Sequence, residues 1–150
     1  MKNSTRVKHF LQRFILPMAL TTVIATIGFW FLHGMPLYSH LRDAAVTELI
    51  LSYGEEEVSV TDPGQRSKVL LGLSSLGLFL PCDPPQEPVY TYRLTFPDGK
   101  QAEYCFSPGD EEHAGCALWR GRWFSTREKV MDNILAQWSQ DALRSPNRVP

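Results

Sequence analysis

VYTYRLTFPDGKQAEYCF, residues 89–106, alternates on both sides of a central Pro97-Asp98-Gly99. Tyr90, Tyr92, Leu94 and Phe96 fall on one face, and Val89, Thr91, Arg93 and Thr95 on the other. A period of two with this aromatic and β-branched content predicts a half-buried strand. The Pro-Asp-Gly stretch predicts a hairpin turn: Pro presets φ, Asp bonds its own backbone two residues on, and Gly accepts positive φ. The return run QAEYCFS (101–107) adds Ala102, Tyr104 and Phe106 to the apolar face. A hairpin with one apolar face needs a second layer, and the flanking sequence supplies it.

Upstream, VTELILSY (46–53) and EVSVT (57–61) read as a strand pair around a turn at Gly54, Glu55 and Glu56. Asp62, Pro63 and Gln65 then form a capping-box arrangement. The helix it starts, over 63–76, places Val69, Leu70, Leu73 and Leu76 on one face and stops at Gly77. PCDPPQEP (81–88) holds four prolines, which deny the ladder its N–H groups and predict a stiff extended connection. Downstream, CALWRGRWF (116–124) reads as a fifth strand bent at Gly121. Ser125 and Glu128 form a second capping box. The helix over 126–140 carries Val130, Met131, Ile134, Leu135 and Trp138 as an apolar stripe. The predicted order is β-β-α-β-β-β-α, a two-layer α+β domain with a mostly antiparallel sheet and two amphipathic helices. About 110 residues suffice for one core without a metal or disulfide.

No formally charged residue lies between Arg13 and Arg42 if His33 and His40 are set aside. The centre of that gap is FILPMALTTVIATIGFWFL, residues 14–32. Nineteen residues at helical rise extend about 28 Å, close to the roughly 30 Å of a hydrocarbon core. Ten of them are Phe, Ile, Leu or Val, which contribute roughly −3 to −6 kcal/mol of insertion free energy before Pro17, Gly28 and the threonines are set against it. A soluble helix with this pattern would have to be buried on every face, which a domain of this size rarely accommodates. A cleaved signal peptide is the main rival, but Phe29-Trp30-Phe31 and His33-Gly34-Met35 are poor cleavage contexts. Lys2, Arg6, Lys8 and Arg13 precede the run, and only Arg42 follows closely. The positive-inside rule then puts the N-terminus in the cytoplasm and the remainder outside the plasma membrane.

The sequence thus divides into a cytoplasmic basic tail (1–13), a transmembrane helix (14–35), a linker (36–44), an extracytoplasmic α+β domain (45–142) and a frayed tail (143–150). From His40 onward eleven basic residues face sixteen acidic ones. An acidic domain of this kind lacks the footprint of a nucleic-acid binder.

VTDPGQRSKVLLGL, YRLTFPDGKQAEYCF and STREKVMDNILAQW give the chain a layout that resembles small bacterial membrane-anchored or lipoprotein-type extracytoplasmic domains. The resemblance is one of pattern and covers about half of the chain. It implies a location and a fold, with no activity attached.

Cys82, Cys105 and Cys116 make an odd count. If residues 101–107 and 116–120 pair, Cys105 and Cys116 come opposite each other, at a separation of about 4.5–5.5 Å that a disulfide accepts. An extracytoplasmic address permits that bond. Another disulfide involving Cys82, or three free thiols, are the alternatives. A metal reading would use Cys105, His113 and Cys116, with Cys82 as a further ligand; the spacing lacks a C-x₂-C knuckle. Asp110, Glu111 and Glu112 lack the alternating order of a calcium loop and read as a solvated tip. Trp119, Arg120, Arg122 and Trp123 could contact an anionic surface such as lipid headgroups or a wall polymer. The competing reading is an edge strand with Trp inward and Arg outward.

Gly72-Leu73-Ser74-Ser75-Leu76 is not a nucleophile elbow, no phosphate loop is present, and His113 is the only plausible base beyond the membrane boundary. The function expected is that of a non-catalytic binding or accessory domain, partnered by lipid through residues 14–35 and by an envelope component, with no cofactor. The runner-up is a metal- or thiol-dependent protein centred on Cys105, His113 and Cys116. A secreted domain after signal-peptide cleavage is the third reading.

Overall fold

The computed structural model describes residues 11–144 apart from Glu87, Glu111 and Glu112. The basic tail through residue 10 and the last six residues lie outside the described residues. The chain divides into two units after His33.

The first unit is helical. A π-helical turn over Leu11–Ile15 leads into α1, Leu16–His33. Every side chain described in it is exposed. Its stretch Arg13–His33, 21 residues, is long and apolar enough to cross a membrane by length and composition. Three threonines do not leave their hydroxyls unpaired: Thr21 donates to the Pro17 carbonyl at 2.9 Å, Thr22 to Met18 at 2.9 Å and Thr26 to Thr22 at 2.8 Å. Such bonds to the carbonyl four residues back let hydroxyls sit in apolar surroundings at low cost.

The second unit is an α+β fold. One antiparallel sheet contains seven strands: β1 (Glu48–Tyr53), β2 (Glu56–Ser59), β3 (Leu78–Pro81), β4 (Tyr90–Thr95), β5 (Gln101–Ser107), β6 (Cys116–Trp119) and β7 (Arg122–Thr126). Their spatial order is β2-β1-β4-β5-β6-β7-β3. Helices α2 (Pro63–Ser74) and α3 (Lys129–Leu143) supply the second layer.

The central hairpin follows its alternation. Tyr90, Tyr92 and Leu94 are buried and pair with Phe106, Tyr104 and Ala102. Leu49, Leu51 and Val58 extend that apolar surface. Phe96 N–H bonds the Lys100 carbonyl, Gly99 N–H bonds the Phe96 carbonyl, and Gly99 takes φ 79°. This is a three-residue loop with the glycine in the left-handed position. Helix α2 starts as its sequence predicts: Asp62 accepts the Gly64 N–H at 2.8 Å, and Pro63 occupies the first turn. Val69, Leu70, Leu73 and Leu76 are buried. The helix ends at Ser74 with Ser75 as its cap, short of Gly77.

Seven strands replace the five predicted, for two reasons. CALWRGRWF folds as a hairpin, with Trp119 paired to Arg122. Both turn residues have positive φ, Arg120 at 50° and Gly121 at 77°, the signature of a type I′ turn. Leu78–Pro81 also becomes a strand, paired with β7 through Leu78–Thr126 and Pro81–Phe124. It is an edge strand, where the missing proline N–H costs no ladder bond on the open side. The stiff proline connection therefore starts at Cys82.

The second helix also differs from its prediction. Ser125 and Thr126 belong to β7, the helix starts at Lys129, and its cap residue Glu128 makes no side-chain capping bond. Its buried face carries Asp132, Leu135, Ala136, Ser139, Ala142 and Leu143. Val130 is 70% exposed and Met131, Ile134 and Trp138 are half-buried. Leu143 is core rather than frayed tail. A Cβ on Gly72 would meet Leu135 Cδ1 at 2.8 Å, so this glycine serves close helix approach.

Residues 36–44 are not a linker. Tyr38 and Leu41 are buried, and Ser39–Leu41 form a 3₁₀ turn. The Tyr38 hydroxyl donates to the Leu118 carbonyl, and its ring packs edge-on against Tyr104 at 5.1 Å. Met35 exchanges backbone bonds with Leu78 at 2.6 and 3.0 Å.

Candidate functional site

A cleft of about 630 Å³ opens between the proline segment and the loop that joins β5 to β6. One wall is Cys82–Gln86. Cys82 N–H bonds the Trp123 carbonyl at 3.0 Å, the last sheet bond before Pro84 and Pro85. The opposite wall is held by a local turn. Asp110 accepts the His113 backbone N–H at 2.6 Å, and its own N–H bonds the His113 carbonyl at 3.1 Å. The same carboxylate meets His113 Nδ1 at 3.0 and 3.1 Å. Lys129 at the start of α3 donates to the Asp110 carbonyl at 3.1 Å. His113 is exposed, so the His113–Asp110 pair sits at the rim.

The floor is formed by Cys116 and Ser125, which are register partners across β6 and β7. Behind them lies a buried polar pair. Asp132 is 2% exposed and accepts the Thr126 hydroxyl. Gly115 roofs this pair: its carbonyl accepts Thr126 N–H at 2.7 Å, and a Cβ there would meet Asp132 Oδ2 at 2.5 Å. Burial pushes the Asp132 carboxyl up to about 6, with the Thr126 bond opposing and Glu128 adding to the rise.

The thiols are held protonated. Burial pushes Cys116 up to about 12, with the neighbouring Cys82 and Asp132 adding to it. Burial also raises Cys82 and Cys105. Reactive cysteines are lowered, not raised, by their surroundings. The cleft therefore offers two neutral thiols, a hydroxyl and a carboxylate–imidazole pair as hydrogen-bonding groups.

The sequence-predicted site residues do not converge as expected. Cys105 lies opposite Thr91, with 3.8 Å between hydroxyl and sulfur, while Cys116 lies opposite Ser107. The β5–β6 register is thus offset by two residues from the one that would oppose Cys105 to Cys116. The loop takes eight residues, 108–115, because the Asp110–His113 turn is built into it. All three cysteines are free thiols. Cys105, His113 and Cys116 form no ligand set, and among the described residues no three His, Cys, Asp or Glu side chains are grouped to hold a metal.

Trp119, Arg120, Arg122 and Trp123 cluster at the β6–β7 turn but not on one face. Trp119 pairs with Arg122, and Trp123 with Leu118, so the two indoles point to opposite sides of the sheet. Trp119 packs on Phe124 at 5.9 Å, with the Arg120 guanidinium 4.8 Å over its ring. Arg120 and Arg122 are exposed.

Cys82 is the residue that sequence reasoning underused. It lines the cleft together with Cys116. The available signal was Leu78-Phe79-Leu80, an apolar run that carries the chain to Cys82 as a strand. No protein-family model matches the chain, and neither does a curated protein or a solved structure.

Proposed function

We propose that the chain is a single-pass plasma-membrane protein whose α+β unit faces the extracytoplasmic side and acts by binding rather than by chemistry. One observation carries the reading: an uncharged helix with every described side chain exposed and its threonine hydroxyls satisfied internally. A helix apolar on all faces that buries none of them needs lipid as its partner. The four basic residues before it, against Arg42 alone close behind it, support the orientation. The resemblance in layout to bacterial membrane-anchored domains points the same way.

The cleft between residues 82–86 and Gly109, Asp110, His113 and Ala114 is the surface this reading assigns to a ligand or envelope partner. Its raised thiols and rim-exposed His113 support recognition over nucleophilic chemistry. The Arg120–Arg122 turn is a second polar contact, confined to the hairpin tip.

Fractionation of cells expressing the full chain tests the proposal. The chain is expected in the alkaline-carbonate-resistant membrane pellet, and the α+β unit is expected to be digested by protease added to intact spheroplasts. A soluble product that has lost the apolar run would identify a signal peptide instead. Protection from external protease, with an outward-facing control digested, would overturn the orientation.

A further inference from the structure

We infer that the sheet edge formed by β3, with Phe79, Leu80 and the adjoining Arg127, is a lipid-contacting surface seated in the phospholipid headgroup layer. The inference rests on the membrane reading of the apolar helix. No spacer separates that helix from the α+β unit. His33 ends the helix, and Gly34 and Met35 are already seated on Gly77 and Leu78. Two residues of extended chain reach about 7 Å, roughly the depth of one headgroup layer. Whatever angle the helix takes, the strand paired with Met35 starts beside the end of the apolar run.

The edge has the chemistry for that place. Leu78–Pro81 carries no charge, Leu80 is 57% exposed and Met35 42%. Pro36 and Pro81 are exposed as well. The opposite edge, β2, shows exposed Glu56 and Glu57 instead, the usual guard against edge pairing. An apolar edge without such a guard needs a cover. A further strand fits poorly, because the edge offers few donors. Leu78 N–H bonds the Met35 carbonyl at 3.0 Å, Leu80 N–H the Ser125 hydroxyl at 3.3 Å and Cys82 N–H the Trp123 carbonyl at 3.0 Å, and Pro81 has no N–H. Spent donors are what contact with lipid demands. Arg127 is tied beside β3 by its N–H to the Gly77 carbonyl, and its guanidinium lies 4.5 Å over the Phe79 ring. An aromatic body under a cationic head suits the boundary between acyl chains and phosphates.

The experiment places a polarity-sensitive fluorophore on the full chain in phosphatidylcholine–phosphatidylglycerol vesicles that contain a lipid with a shallow nitroxide. Cys82→Ser removes the exposed thiol and leaves only the buried Cys105 and Cys116. In that background Leu80→Cys carries the label, with Leu32→Cys in the helix and Glu57→Cys on β2 as references. The Leu32 label is expected to be quenched and the Glu57 label is not. The Leu80 label is expected to shift to the blue and to lose intensity as the Leu32 label does. A quenched Leu32 label beside an unquenched Leu80 label overturns the inference and leaves the membrane anchor standing. An unquenched Leu32 label overturns both. Self-quenching of the Leu80 label without nitroxide, relieved by diluting with unlabelled chain, assigns the edge to a second copy and overturns the lipid contact. Should Leu80→Cys lose its circular dichroism, Met35→Cys, which joins the edge through its backbone, takes its place with the same expectation.

Discussion

The Tyr92 hydroxyl on β4 and the Ser139 hydroxyl on α3 lie 2.7 Å apart inside the core, and neither residue is exposed at all. Ser139 also donates to the Leu135 carbonyl at 2.8 Å. Its one proton is thereby used, so the tyrosine is the donor between them. The two deletions are therefore unequal. Tyr92→Phe leaves Ser139 bonded within its own helix and is expected to cost about 1 kcal/mol. Ser139→Ala strands a buried phenol and is expected to cost about 2–3 kcal/mol. The double variant is expected to be less destabilised than the sum. Urea denaturation of the full chain in detergent measures all three, and strict additivity would contradict the coupling.

This bond also explains what the sequence concealed. Alternation made the tyrosine face of the central hairpin legible, because pattern alone decides which residues of such a strand are buried. Asp62 and Pro63 were legible for the same local reason: a cap acts on its own helix. The inward face of α3 was not, because it carries Asp132 and Ser139. Their partners, Thr126 at the end of β7 and Tyr92 on β4, lie on strands, and hydrophobic periodicity scores Asp132 and Ser139 as solvent-facing. The β6–β7 hairpin was hidden by Arg120, a residue type that carries no left-handed turn signal. β3 exists only through pairing with β7. With β3 unread, Cys82 had no place in the sheet, and its position on the cleft beside β7 could not be foreseen. The loop turn set by Asp110 then displaced the register that Cys105 would have needed.

Asp132 gives the fold a pH dependence. An unfolded aspartate titrates near pH 4, whereas burial holds this one up to about 6. The folded state thus keeps a proton that the unfolded chain has released. The stabilisation is fully present below about pH 4 and is lost as pH rises through about 6. Asp132→Asn cannot ionise and keeps an acceptor for Thr126. Relative to the parent, it is expected to gain on the order of 2 kcal/mol between pH 4 and pH 7. Urea titrations of both proteins at pH 4, 5.5 and 7.5 check this; parallel curves would refute it.

Gly34 is held at φ 78°, and a Cβ there would meet the Gly77 carbonyl carbon and oxygen at 2.6 Å. Gly34→Ala combines left-handed strain with a backbone clash that no side-chain rotation relieves. A loss of about 2–4 kcal/mol is expected. Gly28→Ala, where a Cβ would meet nothing within 4 Å, is expected to be neutral. Thermal melts of the two variants, side by side, test the contrast.

Met35 is already hydrogen-bonded to Leu78, and Tyr38 already reaches the Leu118 carbonyl. A protease clipping between residues 36 and 44 would pull a ring out of the interior instead of liberating an intact fragment. A cut that leaves the α+β unit intact has to fall before Gly34, whose backbone is already packed against Gly77.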